Sequence, residues 1–217
     1  MGTSLYCCPL CNTPDAERYH TDPKRSYWKC SECDLIFAPS EFHLNSEQEK
    51  AVYDQHENNP DDPGYRKFLS RAWLPLREKL KSGEHGLDFG CGPGPTLSLM
   101  AEEDGYPCTI FDLYFANSPE VLIENHYDFI TSTEVIEHIA APRAILSQLL
   151  GMLKSRGHLC LMTKRHNPDQ DFGRWHYILD PTHITFYSEA TFHWIAQHFN
   201  CSVEFPAQDV TILRKMT

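Results

Sequence analysis

The sequence predicts an α/β protein: a doubly wound sheet finished by a C-terminal antiparallel hairpin, with a small cysteine-bearing unit ahead of it. Three observations carry that expectation. Short apolar runs alternate with amphipathic helical stretches from about residue 85 onward, which is the signature of βαβ units. One run, Leu87-Asp88-Phe89, opens into Gly90-Cys91-Gly92-Pro93-Gly94, where a strand that feeds a helix would expose bare backbone N–H groups. Upstream, Cys8-Pro9-Leu10-Cys11 and Cys30-Ser31-Glu32-Cys33 form two C-x-x-C pairs separated by eighteen residues.

Taken in order, the cysteines come first. Each C-x-x-C turn aims two sulfurs at one centre, and two such knuckles complete a tetrahedron. The pattern predicts a zinc-ribbon-like domain over residues 1–40 with Cys8, Cys11, Cys30 and Cys33 as ligands to a structural Zn2+. Cys7 adjoins Cys8, and the register using Cys8 is preferred because it keeps the two-residue spacing. Four thiolates leave no open position for catalysis. A segment this short builds little core, so metal would supply its folding energy. Tyr27, Trp28, Leu35, Ile36 and Phe37 around the second knuckle suggest docking against the rest of the chain, with substrate recognition as the alternative role.

Residues 41–217 form the expected main domain. From Glu41 to Lys81 the chain reads helical, broken at Asn58–Gly64, with Phe68, Leu69, Ala72, Trp73, Leu76 and Leu80 on one stripe. Strand His85–Phe89 leads to a helix over 94–104, then a strand 106–111 ending in Asp112. An acidic residue at that point is placed to hold ribose hydroxyls. Tyr127–His138 reads as an apolar strand running into a polar switch, with Glu134 and His138 four apart. A helix over 142–154 is expected to stop at Gly157 before a strand over 158–163. Ser188 caps a further helix, and Ser202–Phe205 with Asp209–Arg214 make the closing hairpin.

The glycines at 90, 92 and 94 do not follow G-x-G-x-x-G, since the third arrives one residue early. The Asp88-x-Gly90-x-Gly92-x-Gly94 run resembles the first motif of class I S-adenosylmethionine (SAM) dependent methyltransferases, and Tyr127–His138 resembles their fourth-strand motif. The similarity covers roughly residues 45–217. It implies a Rossmann-like fold, a helical lid to which Tyr53, His56 and Tyr65 would belong, and SAM bound by Asp88, Gly90, Gly92, Gly94, Asp112 and Glu134. Only fourteen residues separate Asp112 from Tyr127, too few for the family's customary helix and third strand, so adenine contacts are assigned to the strip around Leu113 and Tyr114. The family builds its substrate wall after the fifth strand. There Asp180-Pro181-Thr182-His183, followed by Tyr187-Ser188, resembles a run from one bacterial branch. It makes His183 the expected general base, with Asp180 and His176 beside it. His138, His176 and His183 together carry no recognised metal-binding spacing. Cys91 is expected to form the loop rather than act as a nucleophile.

Net charge bounds the partners. The chain carries a formal charge of −11, and residues 1–40 hold one more acidic than basic side chain, so nucleic acid is not the expected partner. No apolar run is long enough to span a bilayer, no secretory signal or myristoylation pattern is visible, and a cytoplasmic location is expected. These readings converge on a SAM-dependent methyltransferase acting on a small-molecule or metabolite acceptor. The alternatives are an rRNA or tRNA methyltransferase and a non-catalytic SAM-binding or partner-binding module. An NAD(P)-dependent dehydrogenase is disfavoured by the glycine spacing.

Overall fold

The computed structural model describes residues 6–55 and 58–217; His56, expected in the lid, lies outside them. In chain order the elements are β1 (Ala16–Thr21), β2 (Ser26–Cys30), β3 (Ile36–Phe37), α1 (Ser46–Tyr53), α2 (Pro63–Arg77), β4 (Gly86–Phe89), α3 (Thr96–Glu103), β5 (Cys108–Phe111), β6 (Tyr127–Thr133), α4 (Pro142–Met152), β7 (Leu153–Met162), β8 (Thr185–Phe186), α5 (Glu189–His198), β9 (Cys201–Ala207) and β10 (Val210–Lys215). Helix starts follow local chemistry. Asn45 and Gln48 cap α1 reciprocally, Asp62 and Pro63 open α2, and Ser188 with Thr191 caps α5.

The main sheet has six strands in the order β5–β4–β6–β7–β10–β9. β5, β4, β6 and β7 are parallel, and β10 runs antiparallel to both β7 and β9. Alternate side chains of the central strands feed two apolar layers. Cys160, Met162, Val210 and Ile212 pack with Leu69, Trp73 and Leu76 of α2, while Leu159, Leu161 and Leu213 pack with α4 and α5. The architecture is therefore the Rossmann-like sheet with a C-terminal hairpin that the sequence predicts. β5 is an edge strand: in place of a helix and third strand, Asp112 and Ala116 exchange backbone hydrogen bonds and a 3₁₀ turn spans Pro119–Val121.

One local expectation is corrected. Gly157 does not stop the helix after α4, which ends at Met152, and it lies inside β7. A Cβ there would sit 2.9 Å from the Asp128 carbonyl and 3.0 Å from that of Lys154, so glycine serves a close backbone approach at an irregular strand start.

The second sheet joins the two ends of the chain. β1, β2 and β3 form an antiparallel ribbon, and β3 pairs with β8, which lies between β7 and α5 in sequence. Cys8, Leu10, Trp28, Leu35 and Phe37 belong to the same buried cluster as Leu149, Tyr187 and Phe192. The cysteine-bearing segment thus shares its apolar core with one face of the main sheet.

Candidate active site

A cavity of about 780 Å³ lies beyond the C-terminal ends of the parallel strands, where open α/β sheets hold ligands. One side is the glycine loop. Gly90 and Gly92 take φ of +77° and +67°, the left-handed region that glycine occupies without steric cost. At Gly94 a Cβ would lie 1.8 Å from the Asn58 carbonyl oxygen, so this glycine lets the segment before α2 close down on the loop. Gly90 and Gly92 line the cavity; Gly94 does not.

Two carboxylates support the loop. Asp88 is buried, accepts a hydrogen bond from Thr131 Oγ1 at 2.8 Å, and burial lifts it to about 6. It ties β4 to β6 through Thr131 while lining the cavity. Asp112 accepts from the Gly92 amide at 3.0 Å through Oδ2, and from the Tyr114 and Phe115 amides through Oδ1. It thereby fixes the short connection that replaces the third strand. Leu113 and Tyr114 line the same end, and Leu113 is 61% exposed. α1 forms another side: Glu49 and Tyr53 line the cavity, and the Tyr114 hydroxyl donates to Glu49 at 3.3 Å. Tyr65 lines it too. Cys91 is buried and its thiol is pushed up to about 12, which favours the neutral thiol over the thiolate.

The far side is a polar cluster from two segments. Glu134, at the end of β6, has φ +53°, an uncommon conformation for a side chain with a Cβ and a frequent mark of functional sites. It accepts from the Tyr177 hydroxyl at 3.3 Å. Glu137, fully buried in the 3₁₀ turn that follows, also accepts from Tyr177, whose hydroxyl lies 3.1 Å from Thr163 Oγ1. Glu134 Oε1 and Glu137 Oε2 are buried without a hydrogen-bond partner. Burial first, with repulsion from its neighbour, lifts Glu134 to about 8, and burial lifts Glu137 to about 7; the two values describe the pair.

His138 and His183 face each other with ring centroids 4.8 Å apart. His138 Nδ1 donates to the Thr182 carbonyl at 3.1 Å and His183 Nδ1 to the Tyr177 carbonyl at 2.8 Å. A carbonyl only accepts, so each neutral ring carries its proton on Nδ1 and Nε2 is its acceptor atom. Burial, then the adjacent His138, lowers His183 to about 4. Asp180 Oδ2 lies 3.7 Å from His183 Nε2. Burial opposes ionisation of Asp180, but hydrogen bonds from the Thr182 hydroxyl and amide outweigh it and its pKa falls. His176 stands at the rim, exposed, with Lys164 Nζ donating to its Nε2 at 2.8 Å. Asp180, His183, His176 and Glu134 thus all line the one cavity. Glu137, His138 and His183 bring ligand atoms within 4.8 Å of one another, a set able to hold a cation or a polar acceptor group.

Glu137 and Tyr177 were not among the expected site residues. Glu137 had a signal in sequence, an acid following Ile136 inside an apolar stretch; Tyr177 had none beyond its aromatic neighbours. The four cysteines converge as expected, with Cys8 and Cys33 sulfurs 3.4 Å apart and Cys11 and Cys30 3.3 Å apart. All four lie within 4.8 Å of one another, close to the roughly 3.8 Å edges that a tetrahedron with Zn–S bonds of about 2.3 Å requires.

The glycine loop, the acid at the end of the next strand and the strand order define a nucleotide-binding sheet of the methyltransferase class. The methyltransferase-domain family model matches residues 61–204, about two-thirds of the chain, and the chain belongs to this family of SAM-dependent methyltransferases. A curated relative, the ubiquinone biosynthesis O-methyltransferase of Shewanella sp. (strain ANA-3), is 31% identical over 86 residues, covering 38% of this chain and 35% of the relative. The match therefore spans about a third of that protein. Among solved structures, the 1,6-didemethyltoxoflavin-N1-methyltransferase of Burkholderia thailandensis, with its substrate and S-adenosylhomocysteine bound, aligns at a TM-score of 0.51 and 13% identity over 93% of this chain and 100% of that one. An O-methyltransferase family protein from the same organism gives 0.53 at 14% identity, over 81% and 61% of the two chains. A SAM-dependent methyltransferase from Archaeoglobus fulgidus gives 0.50 at 18% identity, over 64% and 72%. These likenesses establish the fold.

Proposed function

We propose that this protein transfers a methyl group from SAM to a small-molecule acceptor and that its cysteine cluster holds a structural zinc ion. The observation that carries the reading is the continuity of one cavity from the glycine loop to the Glu134–Tyr177–His183 cluster, which lets a cofactor and an acceptor meet. SAM supplies an electrophilic methyl group on a sulfonium. Gly90 and Gly92 leave room for its backbone-facing side. Asp112 would hold ribose hydroxyls with the lone pairs its amide partners leave over, Leu113 and Tyr114 would flank adenine, and α1 would exclude water.

On the acceptor side, the Nε2 atoms of His138 and His183 accept hydrogen bonds from the acceptor and orient it for in-line attack. A proton released by the acceptor is better placed on the Glu134–Glu137 pair than on His183, because a base works best with a pKa near ambient pH and burial holds His183 at about 4. Asp180 and His176 shape the wall and rim. The ubiquinone O-methyltransferase relative supports an oxygen acceptor. The acidic net charge favours a metabolite over an RNA.

Calorimetric titration with SAM and S-adenosylhomocysteine, with NADH as control, tests the cofactor. Single-turnover transfer from methyl-labelled SAM into a phenol and carboxylate panel tests the acceptor class. Micromolar binding of the adenosyl compounds alone is expected. Absence of binding would overturn the reading and favour a partner-binding module.

A further inference from the structure

None of the described residues of the cysteine-bearing ribbon lines the cavity, yet one ribbon side chain reaches the segment that forms its acceptor wall. Arg25, in the turn between β1 and β2, is only 7% exposed. Its Nε donates to the Tyr27 hydroxyl at 2.6 Å. Its Nη1 donates to the carbonyls of Pro181 (3.2 Å) and His183 (2.8 Å), and its Nη2 to those of Ile178 (2.6 Å) and Asp180 (2.7 Å). All five guanidinium protons are accounted for, and four go to backbone carbonyls within six consecutive residues.

This geometry is specific. A buried charge is costly unless fully hydrogen-bonded, and a planar fork with fixed donor directions suits a ring of carbonyls as an ammonium does not. The guanidinium is itself aimed, since Asp22 accepts from the Arg25 amide at 2.9 Å and from the Tyr27 hydroxyl at 2.9 Å. The caged segment contains Asp180 and His183, and the His183 ring is in turn fixed by the Tyr177 carbonyl. β3 pairs with β8 immediately afterwards, and the Ala38 amide donates to the Ile184 carbonyl at 2.8 Å.

We infer that Arg25 is a positioning residue for the acceptor wall: the ribbon acts as a template whose guanidinium folds residues 178–183, and so sets the orientation of His183, without itself touching substrate. The inference rests on the acceptor-side reading above, but its test does not require an acceptor. Ile178 belongs to the short 3₁₀ turn His176–Leu179, whereas Asp180, Pro181 and His183 lie between that turn and β8. Beside the guanidinium, only the His183 amide, at 3.3 Å from the Asp180 carbonyl, is recorded on any of the four caged carbonyls among the described residues. An exposed arginine on a surface hairpin would have no such effect.

The test compares the full-length chain with Arg25→Ala and Arg25→Lys. Three quantities are read: hydrogen–deuterium exchange by mass spectrometry, the His183 Nδ1–H resonance, and S-adenosylhomocysteine affinity. In Arg25→Ala, exchange over residues 176–184 should rise by roughly tenfold or more, because local opening free energy sets protection. The His183 Nδ1–H signal should vanish, and exchange over 86–112 and S-adenosylhomocysteine affinity should stay within about twofold of the parent, as expected for independent sites. Arg25→Lys, with three donors on a point charge, should fall between; if the alanine variant does not fold, the lysine variant carries the test. Unchanged exchange over 176–184 in both variants overturns the inference. A uniform rise across β4 and β6 with lost S-adenosylhomocysteine binding also overturns it, because Arg25 would then be a residue of the fold at large. Failure of the parent protein to bind S-adenosylhomocysteine would count against the methyltransferase reading and leave the exchange result to stand alone.

Discussion

The two halves of the cavity are built on different principles. The cofactor half is local: β4, the glycine loop and α3 are consecutive, and Asp112 closes the loop from the next strand in the same parallel run. Its loop amides are held by the neighbouring strand end, those of Gly90 and Cys91 by the Phe111 carbonyl and that of Gly92 by Asp112. The acceptor half is assembled from remote pieces. Tyr177 meets Glu137 across 40 residues of sequence, and Arg25 meets Asp180 across 155. A site made of backbone tolerates change elsewhere, because its geometry is set by its own sequence. A site made of long-range contacts depends on everything that holds those contacts. The cofactor half should therefore survive perturbations that dismantle the acceptor half, and the expectations below test that difference.

Loss of the cysteine cluster should give the largest effect. Cys8, Cys30 and Cys33 lie in the same buried cluster as residues of α4, α5 and Tyr187, and structural zinc in small domains stabilises them by about 10 kcal/mol or more in apparent terms. Chelation, or Cys8→Ser with Cys30→Ser, should release about one zinc equivalent by metal analysis. It should abolish the near-ultraviolet dichroism of the Tyr27–Phe172–Phe186 aromatic group, while far-ultraviolet helix signal is largely kept. Retention of S-adenosylhomocysteine binding by the stripped protein would sharpen the contrast between halves. Its complete loss would break it.

Next come substitutions in the cofactor half. Gly94→Ala drives a methyl group into the Asn58 carbonyl, so the segment before α2 must lift. Asp112→Ala removes an acceptor shared by three amides. Both should weaken S-adenosylhomocysteine binding, Asp112→Ala by about 1–3 kcal/mol, the range for losing a buried hydrogen-bonding group. Calorimetry measures this directly. Exchange over residues 176–184 should not change in either variant, and a change there would show the halves to be coupled.

Much of this contrast follows how far each feature reaches along the chain. The glycine run, the acid at Asp112, the missing third strand and the C-terminal hairpin all follow from spacing within some thirty residues, and each was readable from sequence. The cysteine convergence was readable because metal geometry dictates ligand spacing. Gly157 misled because a glycine after a helical stretch signals a stop, whereas here tertiary packing against Asp128 sets its role. Glu137, Tyr177 and Arg25 were illegible as a group, since their pairing depends on two segments meeting through β3 and β8. His183 and Asp180 were singled out only because their run resembles a known family, and the burial that lowers His183 to about 4 could not be read in advance.

A smaller, pH-dependent effect belongs to the acceptor half. Glu134 and Glu137 have folded-state pKa values raised above the ordinary glutamate value, to about 8 and about 7. The folded chain therefore binds more protons than the unfolded one between about pH 4.5 and 8. Their contribution to stability is fully present below the unfolded value and is lost as pH rises through the folded values. Urea denaturation at pH 6 and pH 8.5 should show stability falling by an amount on the order of 1–3 kcal/mol from this pair. Glu137→Gln, which mimics the protonated acid, should flatten that slope. An unaltered slope in the variant would mean that other groups carry it.

The last expectation concerns a rate. Cys91 sits in the glycine loop, within the cofactor half, and its thiol is pushed up to about 12 by burial and then by the nearby Asp88 and Asp112 carboxylates. Thiolate is the reactive form, so iodoacetamide at neutral pH should label exposed Cys7 well before Cys91, with peptide mapping as the readout. Binding of S-adenosylhomocysteine should slow Cys91 further, because Cys91 lines the cavity. Arg25→Ala should leave its rate unchanged, because the carbonyls that Arg25 cages all lie in residues 178–183. Fast labelling of Cys91 in the parent would mean that the loop opens on its own, and backbone geometry alone would then not suffice to hold the cofactor half. Slow labelling that becomes fast only in the Arg25 variant would place a physical link between ribbon and glycine loop that no hydrogen bond among the described residues provides.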